Sequence, residues 1–224
     1  MPGETEAKRR DRMIRRQLVA RGIDDERVLA AMRDTPREVF VPRERRQRAY
    51  SDEALPIGLG QTISQPYIVA LILQSMALRG PELVLEVGTG SGYSAALLSR
   101  LAARVVSIER LAVLAERARR CLAEVGAGNV EVIHGDGGQG WPALAPYDAI
   151  AVHALAPELP GALVEQLAPG GRLVIPLRAT LGGVLTLFTR TESGLDRMPL
   201  AAVAFVPLIS GEAAAEHGRR PARP

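Results

Sequence analysis

Three carboxylates in the middle of the chain stand where short apolar stretches end. Glu86 lies just before the glycines of LVLEVGTGSGYSAALL, Glu109 ends RVVSIE, and Asp136 closes VEVIHGD. In parallel sheets, ligands bind at the carboxyl ends of the strands, so the three acids can belong to one site. Taken singly, each acid has the capping of a following helix as an alternative role. Three acids at three successive strand ends favour a ligand-binding site.

Glycines at alternate positions follow the first of these acids. Gly88, Gly90 and Gly92 let the backbone turn tightly and approach a ligand closely, and the helix that begins after them adds unpaired N–H groups. A dinucleotide site has the spacing G-x-G-x-x-G, whose third glycine would stand where this chain has Tyr93. Glu86 would also repel a pyrophosphate, whereas it would attract the cationic sulfonium and amino groups of S-adenosylmethionine.

S-adenosylmethionine is therefore the predicted cofactor, and a dinucleotide is the disfavoured alternative. The acid and the G-x-G-x-G spacing resemble the glycine loop of class I methyltransferases. In this interpretation Glu109 receives the ribose hydroxyls and Asp136 accepts a hydrogen bond from the adenine amino group. The predicted cofactor-binding residues are Glu86, Gly88, Gly90, Ser91, Glu109, Arg110, Asp136 and Gly137. We predict no metal site.

Strands and helices alternate from Pro81 onward. Apolar runs such as ELVLEVG, RVVSIE and RLVIPL predict buried strands, and amphipathic stretches such as LAVLAERARRCLAEVGAG predict the helices between them. This alternation implies right-handed crossovers and a parallel sheet covered on both faces. Two strands joined by a Ser-Gly turn in GGVLTLFTRTESGLDRMPLAAVAFVPL add an antiparallel part. The predicted fold class is α/β: a Rossmann-like doubly wound sheet, mostly parallel with an antiparallel C-terminal part, plus an N-terminal helical addition.

Three units divide the chain in this prediction. Residues 1–80 form the N-terminal helical addition with an active-site loop, 81–210 form the cofactor-binding domain with the C-terminal strands, and 211–224 form a disordered tail. Within the first unit, the composition of SDEALPIGLG predicts a loop, and SQPYIVALILQSMALRG predicts a helix with Pro66 in its first turn and Gly80 at its end. In the second unit, ELPGALVEQLAPGG predicts a further helix.

Composition limits the classes of function. The 224 residues carry a net charge of +3 and are 47% hydrophobic, which is enough for a sizeable core. No apolar stretch reaches the roughly 18 residues needed to span a bilayer, and the polar start MPGETEAKRRDR lacks the apolar core of a signal peptide. The lone Cys121 fits a reducing compartment. These features predict a soluble, cytoplasmic protein with no membrane partner.

Many of the arginines lie in the first fifty residues, in the segments KRRDRMIRRQ and PRERRQR. Such clusters can bind phosphates, but no aromatic residues are interleaved for base stacking and no groove-reading motif is present. We therefore interpret the arginines as the solvated faces of amphipathic helices and predict no nucleic-acid partner. We expect a monomer.

A longer set of motifs resembles the protein-L-isoaspartate O-methyltransferase family. These motifs are REVFVP, AYSDEALPIGLGQTISQPYIVA, LEVGTGSGY, HGDGGQGWP, APYDAI, LAPGGRLVIP and FVPL, and the resemblance runs from about Met13 to Leu208. The family uses S-adenosylmethionine to methylate the α-carboxylate of L-isoaspartyl residues, and the ester then closes to a succinimide that hydrolyses partly to normal aspartate. The resemblance implies isoaspartyl-containing proteins and peptides as substrates. It also places the family's active-site serine at Ser64.

The segment GQTISQP carries more polar side chains than the start of a helix requires. A substrate carboxylate with a pKa of about 4 is already an anion at neutral pH, so it needs placement and desolvation and no general base. We hypothesise that Ser64, with the backbone of Thr62, Ile63 and Gln65, holds this carboxylate by hydrogen bonds. The alternative is that Thr62 or Ser64 only caps the helix that follows.

Four residues in the second half of the chain are further candidate substrate contacts. His153 follows DAIAV at the end of a strand that faces the predicted cleft. The family resemblance implies a small residue or threonine there, so the histidine is a departure, and its alternative role is that of a rim residue. By resemblance, Val206, Pro207 and Leu208 of FVPL run alongside the peptide substrate, and the alternative is an ordinary apolar edge strand.

Two rival functions stay open at this point. Some relatives methylate an aspartate in a dedicated natural-product peptide, and such relatives commonly carry extra C-terminal sequence, whereas a short Arg/Pro-rich tail follows FVPL here. A non-catalytic binding module of the same fold would be favoured by loss of Ser64 or of the acids, and all of them are present.

Overall fold

Residues 4–211, which the computed structural model describes, form a seven-stranded sheet covered by helices and a separate two-stranded hairpin. The N-terminal part contains α1 (Glu6–Met13), α2 (Glu26–Asp34), β1 (Leu55–Gly58), β2 (Gln61–Ile63) and α3 (Pro66–Met76). The sheet and its helices follow as β3 (Leu83–Val87), α4 (Tyr93–Leu101), β4 (Arg104–Glu109), α5 (Ala112–Glu124), β5 (Val130–His134), β6 (Tyr147–Val152), α6 (Gly161–Glu165), β7 (Leu167–Arg178), β8 (Gly183–Thr191) and β9 (Gly194–Val203).

The large sheet has the strand order β5-β4-β3-β6-β7-β8-β9. Strands β3 to β7 run parallel, whereas β8 is antiparallel to both β7 and β9. The predicted fold class, a mostly parallel Rossmann-like sheet with an antiparallel C-terminal part and N-terminal helices, is confirmed. Because the chain leaves β3 toward β4 on one side and returns on the other side as β6, a crevice opens at the carboxyl ends of these strands.

Two apolar clusters lie on opposite faces of the sheet. Val84 of β3 and Val105 of β4 belong to the cluster that also contains the N-terminal helices, α4 and α5. Their neighbours Leu85 and Val106 belong to the other cluster, with α6. This alternation is the period of two expected of strands, and full burial of each such side chain stabilises the fold by roughly 1.5–3 kcal/mol.

The N-terminal helices share the first of these clusters. Met13, Leu18 and Met32 are at most 1% exposed and lie in the same cluster as residues of α4. The ring of Phe40 lies 5.5 Å from the ring of Tyr93, at the start of α4. The N-terminal helices therefore share one core with the sheet domain, and Ile57 of β1 lies next to Gly90 of the glycine loop.

Three local predictions are corrected by the structure. The helix predicted to end at Gly80 ends at Met76, because Ala77 takes a left-handed conformation (φ 46°). The guanidinium of Arg172 donates to the carbonyls of Met76 and Ala77, at 2.7 and 3.3 Å, and so satisfies this helix end from a distant strand. Helix α3 therefore ends without a glycine at its C-terminus.

The segment predicted as a loop, SDEALPIGLG, contains β1 and belongs to a hairpin. Leu55 pairs with Ile63, and the turn is made by Gly58, Leu59 and Gly60, all with positive φ. A strand of four residues with proline inside it lacks the alternation that identifies longer strands, which is why composition alone indicated a loop.

The helix predicted over ELPGALVEQLAPGG is confined to α6. Strand β7 already begins at Leu167, which pairs with Tyr147 of β6. Sheet pairing overrides the helical pattern here. The predicted disordered tail is residues 211–224, of which 212–224 lie outside the described residues.

Candidate active site

The crevice at the carboxyl ends of β3, β4 and β6 is an open cleft beside the glycine loop. Residues from the strand ends, from the β1–β2 hairpin and from the C-terminal segment line it: Gln61, Val87, Gly88, Ile108, Glu109, Arg110, Leu111, Gly137, His153, Ala154, Val206, Pro207, Leu208 and Ile209. Among the predicted cofactor residues, Gly88, Glu109, Arg110 and Gly137 therefore lie together.

The glycine loop between β3 and α4 needs its glycines for conformation and for space. Gly88, Gly90 and Gly92 have φ values of 94°, 54° and 89°, which side chains rarely adopt. A Cβ on Gly88 would lie 3.4 Å from the Cβ of His153. The loop backbone thus approaches the cleft closely and meets the end of β6.

Glu109 joins the glycine loop to the end of β4. Its Oε2 accepts a hydrogen bond from the N–H of Gly90 at 2.8 Å, and its Oε1 accepts one from the N–H of Leu111 at 2.9 Å. The residue is only 6% exposed, and it lines the cleft. A carboxylate has about four lone-pair positions, so two remain for hydroxyl groups of a ligand.

Glu86 lies beneath the cleft, fully buried. Its Oε2 accepts a hydrogen bond of 2.5 Å from the hydroxyl of Ser107, which is itself 2.5 Å from the hydroxyl of Thr89. Its Oε1 has His153 Nε2 at 3.3 Å. The structure thus places this acid one layer below the surface that a ligand would touch.

Asp136 lies beside the cleft. Its Oδ1 accepts a hydrogen bond from the N–H of Gly138 at 2.9 Å and caps the short 3₁₀ turn Gly137–Gln139. Its Oδ2 accepts one from the N–H of Gly211 at 2.6 Å. Asp136 therefore has the capping role that was the alternative to ligand binding. Its contact with adenine stays a prediction.

A second pocket lies on the other side of the glycine loop. It is lined by Thr62, Ile63, Ser64, Val69, Thr89, Gly90, Ser91, Tyr93, Ser94 and His153. The predicted substrate residues Thr62, Ile63, Ser64 and His153 meet here, together with Gly90 and Ser91, which were predicted to bind the cofactor. We call this the serine pocket.

The hydroxyl of Ser64 does not cap α3. The N-cap of that helix is Gln65, whose side chain makes no capping bond and instead donates to the carbonyl of Asp52 at 3.2 Å. Thr62 belongs to β2. The capping alternative for this segment is therefore wrong, and the side chain of Ser64 lines the serine pocket.

Arg37 holds the backbone of the serine segment, and sequence reasoning missed it. The side chain is fully buried, with Nε donating to the carbonyl of Ala49 at 2.8 Å and Nη2 donating to the carbonyl of Ser64 at 2.7 Å. Its guanidinium carbon lies 4.9 Å from the centre of the Tyr93 ring. Burial lowers the pKa of Arg37 to about 10 and raises that of Tyr93 to about 12. Arg37 is in REVFVP, but nothing local in that motif indicates a contact 27 residues away.

A groove lies next to the serine pocket and shares Thr62 and Ser64 with it. We call it the outer groove. Ala54, Thr62, Ser64, Gln65, Ile68, Ala202, Val203, Ala204 and Phe205 line it. The segment FVPL is thus divided between two places. Phe205 lies in this outer groove, while Val206, Pro207 and Leu208, predicted to run alongside a peptide, line the cleft at the strand ends. Pro207 bridges to Leu155, just after β6.

His153 links the two cavities. It lines both the cleft and the serine pocket, and its Nε2 is 2.9 Å from the hydroxyl of Ser94. The route from the outer groove through the serine pocket to the cleft therefore passes this ring. Such an arrangement can bring one ligand in the cleft into contact with a second ligand from the surface.

Residues 4–211 carry neither a candidate metal site nor a candidate membrane span. No group of three or more His, Cys, Asp or Glu side chains in this part of the chain is arranged to hold a metal ion. No helix in the same range is long and apolar enough to cross a membrane.

Comparison with known proteins gives matches over nearly the whole chain. The family described as Protein-L-isoaspartate(D-aspartate) O-methyltransferase matches residues 8–213. The protein-L-isoaspartate O-methyltransferase of Methanoculleus marisnigri is 54% identical over 200 residues, which cover 89% of this chain and 91% of that protein. Protein-L-isoaspartate O-methyltransferase 1 of Rhodopseudomonas palustris is 53% identical over 208 residues, which cover 92% of this chain and 85% of that protein.

A solved structure matches the fold over the same extent. It is a Plasmodium falciparum protein assigned as a protein-L-isoaspartate O-methyltransferase, in complex with S-adenosyl-L-homocysteine. The TM-score is 0.80 at 27% sequence identity, with 93% of this chain and 100% of that chain covered. The chain therefore belongs to the protein-L-isoaspartate(D-aspartate) O-methyltransferase family.

Proposed function

We propose that this protein transfers the methyl group of S-adenosylmethionine to the α-carboxylate of L-isoaspartyl residues in damaged proteins and peptides. The methyl ester then closes to a succinimide, which begins repair. Family membership supports this reaction class. The observation that carries it in the structure is the opening of a pocket around the Ser64 side chain directly beside the glycine loop of the cleft.

The residues around the cleft fit the proposed cofactor. Glu109 presents a nearly buried carboxylate with lone pairs left for the ribose hydroxyls, and Ile108 and Leu111 give apolar contact for a base. Gly88 brings its backbone to the cleft without a side chain. S-adenosyl-L-homocysteine, bound by the Plasmodium falciparum relative, differs from S-adenosylmethionine by the transferred methyl group. Bound S-adenosylmethionine supplies an electrophilic methyl group, which a carboxylate accepts without transfer of a proton.

The serine pocket would place the substrate carboxylate. The hydroxyl of Ser64 is not engaged in capping α3, so it can donate a hydrogen bond to a carboxylate oxygen. The backbone of Thr62, Ile63 and Gln65 surrounds the same position. Arg37 fixes the Ser64 carbonyl and keeps this short segment in place. Catalysis then rests mainly on proximity and on exclusion of water.

The outer groove is suited to the peptide that carries the isoaspartyl residue. Ile68, Ala202, Val203 and Phe205 give it an apolar lining next to the serine pocket. Val206 to Leu208 would contact the reacting residue from the cleft side. His153 would be a substrate contact at the junction of the two cavities.

Methyl transfer to a matched pair of peptides tests the proposal. One peptide carries L-isoaspartate and the other carries L-aspartate at the same position, and both are incubated with methyl-labelled S-adenosylmethionine. The proposal requires base-labile label on the isoaspartyl peptide alone. Label on neither peptide, with cofactor binding intact, would instead support a dedicated natural-product peptide as the client. Label on both would contradict selectivity for the isoaspartyl linkage.

We also propose that the protein works as a cytoplasmic monomer without a nucleic-acid or membrane partner. The single cysteine, which lies half-buried on α5, supports a reducing compartment. Ion pairs with neighbouring acids engage several N-terminal arginines, including Arg9, Arg12 and Arg21. Sedimentation of the purified protein with and without duplex DNA would test the monomeric state and the absence of DNA binding.

A further inference from the structure

A buried glutamine, Gln166, holds the turn that follows β5 and forms one wall of the cleft. Gln166 lies between α6 and β7 in the chain. Its Nε2 donates a hydrogen bond to the carbonyl of Gln139 at 2.8 Å, and its Oε1 accepts one from the backbone N–H of Trp141 at 2.7 Å. We propose that Gln166 is a positioning residue, which fixes this wall of the cleft and thereby sets the affinity for the cofactor.

The amide of Gln166 offers both a donor and an acceptor, and it pairs with a carbonyl and an N–H that are two residues apart. Tyr147, the first residue of β6, adds a third side-chain bond, because its hydroxyl donates to the carbonyl of Trp141 at 2.7 Å. The N–H of Tyr147 donates to the carbonyl of Gln166 at 2.8 Å. The segment 139–141 is therefore bound to the start of β6 and to the residue before β7.

The position of this segment passes directly to the wall of the cleft, because the turn between them is short. The N–H of Gly140 donates to the carbonyl of Gly137 at 3.0 Å, and Gly137 lines the cleft. A Cβ on Gly137 would overlap the side chain of Val87, at the end of β3. A Cβ on Gly140 would overlap the amide of Gln166. The turn therefore fits between β3 and the amide, and loss of the amide frees one side of it.

Asp136 begins this turn, and its carboxylate is fixed by the same geometry. Its Oδ1 accepts a hydrogen bond from Gly138 within the turn, and its Oδ2 accepts one from Gly211 in the C-terminal segment. Asp136 is the acid predicted to contact adenine, so the inference rests on the proposed function in placing the adenosine part of the cofactor beside this wall. The serine pocket is lined by other parts of the chain: the segment from β2 to α3, the glycine loop, the start of α4 and His153. A shift of the turn should therefore weaken binding in the cleft and leave the substrate carboxylate in place.

Gln166→Met tests the inference, because methionine has a similar length and lacks the amide. The Kd values for S-adenosylmethionine and S-adenosylhomocysteine, measured by calorimetry, should each rise by about tenfold. The two increases should agree within about twofold, since both molecules carry the same adenosine. At saturating cofactor, kcat and the KM for an isoaspartyl peptide should stay within about twofold of the wild-type values.

Gln74→Met is the matched control, because Gln74 makes the same kind of bridge in the N-terminal part of the chain. Its Oε1 accepts from the N–H groups of Asp24 and Asp25, at 2.9 and 3.0 Å, and its Nε2 donates to the carbonyl of Gly22 at 3.1 Å. Thermal unfolding should show a loss of stability in both variants. A loss of cofactor affinity should be confined to Gln166→Met, which separates positioning of the cleft wall from general support of the fold.

Trp141 gives a readout that needs no ligand. It is the single tryptophan of the chain, and its backbone is bonded by both Gln166 and Tyr147. In the protein without ligand, quenching of its fluorescence by acrylamide should be stronger in Gln166→Met, because the segment moves more freely. Tyr147→Phe, which removes one of the three side-chain bonds, should change the quenching and the cofactor Kd in the same direction but by less. Gln74→Met should leave the quenching unchanged.

Three results would overturn the inference: wild-type Kd values in Gln166→Met, a rise in Kd for only one of the two cofactor forms, or equally weakened binding in Gln166→Met and Gln74→Met. If Gln166→Met does not fold, Tyr147→Phe decides the question by the same measurements. If the wild-type protein does not methylate the isoaspartyl peptide, the proposed function fails, whereas the binding and quenching experiments still decide the role of Gln166.

Discussion

The cleft at the strand ends and the serine pocket lie next to each other but are built in different ways. The cleft is assembled from the ends of adjacent parallel strands, and Glu109 fixes the glycine loop through a bond to Gly90, 19 residues away. The serine segment is held by side chains from distant parts of the chain: Arg37 binds the Ser64 carbonyl, and Arg117 donates to the carbonyl of Ile57 in the hairpin. The cleft is a property of the sheet, whereas the pocket depends on the N-terminal addition.

This difference means that the two cavities can be impaired separately. Changes in the serine pocket should lower turnover and leave cofactor affinity intact. Changes at the strand ends should lower cofactor affinity first.

Ser64→Ala should produce the largest effect, a fall in kcat/KM of about 100-fold for the isoaspartyl peptide, because one hydrogen bond that places the carboxylate is lost. The Kd for S-adenosylmethionine should stay within about twofold of the wild-type value. Peptide kinetics and calorimetry on the same preparation measure both quantities. Ser193→Ala, in the turn between β8 and β9, is the matched control and should change neither. Equal losses in both quantities for Ser64→Ala would refute the assigned role.

Arg37→Lys should lower kcat/KM by about 20-fold and destabilise the fold by about 2 kcal/mol. Lysine cannot reproduce the planar fork that reaches the carbonyls of Ala49 and Ser64 together, so one buried acceptor loses its partner. Urea unfolding and peptide kinetics provide the two values. Arg16→Lys, at an exposed position of the N-terminal helices, serves as the control. Wild-type turnover in Arg37→Lys would show that the serine segment does not need this anchor.

Glu109→Gln should weaken S-adenosylmethionine binding by about tenfold, because a neutral amide accepts weaker hydrogen bonds than a carboxylate. The hydrogen bond from the N–H of Gly90, which holds the glycine loop, is weakened in the same way. At saturating cofactor, the KM for the peptide should be nearly unchanged. Calorimetry tests the first statement, with the exposed Glu131→Gln on β5 for comparison. A changed peptide KM with unchanged cofactor affinity would reverse the assignment of the two cavities.

Asp136→Ala should have the smallest effect, a loss of about threefold in cofactor affinity. Both oxygens of this carboxylate already accept backbone hydrogen bonds, from Gly138 and Gly211, which limits what it offers a ligand. Asp136→Asn keeps one acceptor oxygen and should fall between the wild-type protein and Asp136→Ala. If the affinity of Asp136→Ala equals that of the wild-type protein, the predicted contact with adenine is wrong.

The same contrast explains how much the sequence could predict. The sheet, its antiparallel end and the position of the glycine loop follow from local patterns: runs of β-branched residues, amphipathic helices and closely spaced glycines. The three acids were placed at strand ends by the same patterns, although Glu86 lies below the cleft and Asp136 beside it. Burial of one acid and capping by another depend on neighbours that a short motif does not contain.

The features that the sequence did not reveal depend on contacts between distant residues. Arg172 ends α3 by binding the carbonyls of Met76 and Ala77, almost 100 residues earlier in the chain. Arg37 reaches Ser64, and His153 meets Ser94 and Glu86 only when β6 lies beside β3. The role of Ser64 came from a family resemblance, because no local pattern distinguishes a catalytic hydroxyl from a capping one.

A crystal structure of the protein with S-adenosylhomocysteine and an isoaspartyl peptide would test the central claim most directly. We predict that the α-carboxylate of the isoaspartyl residue lies in the serine pocket, with one oxygen within about 2.6–3.2 Å of Ser64 Oγ and the other facing the cofactor sulfur in the cleft. The peptide backbone would follow the groove lined by Phe205. A peptide bound elsewhere, with Ser64 Oγ contacting only solvent, would contradict the proposed division between cofactor cleft and serine pocket.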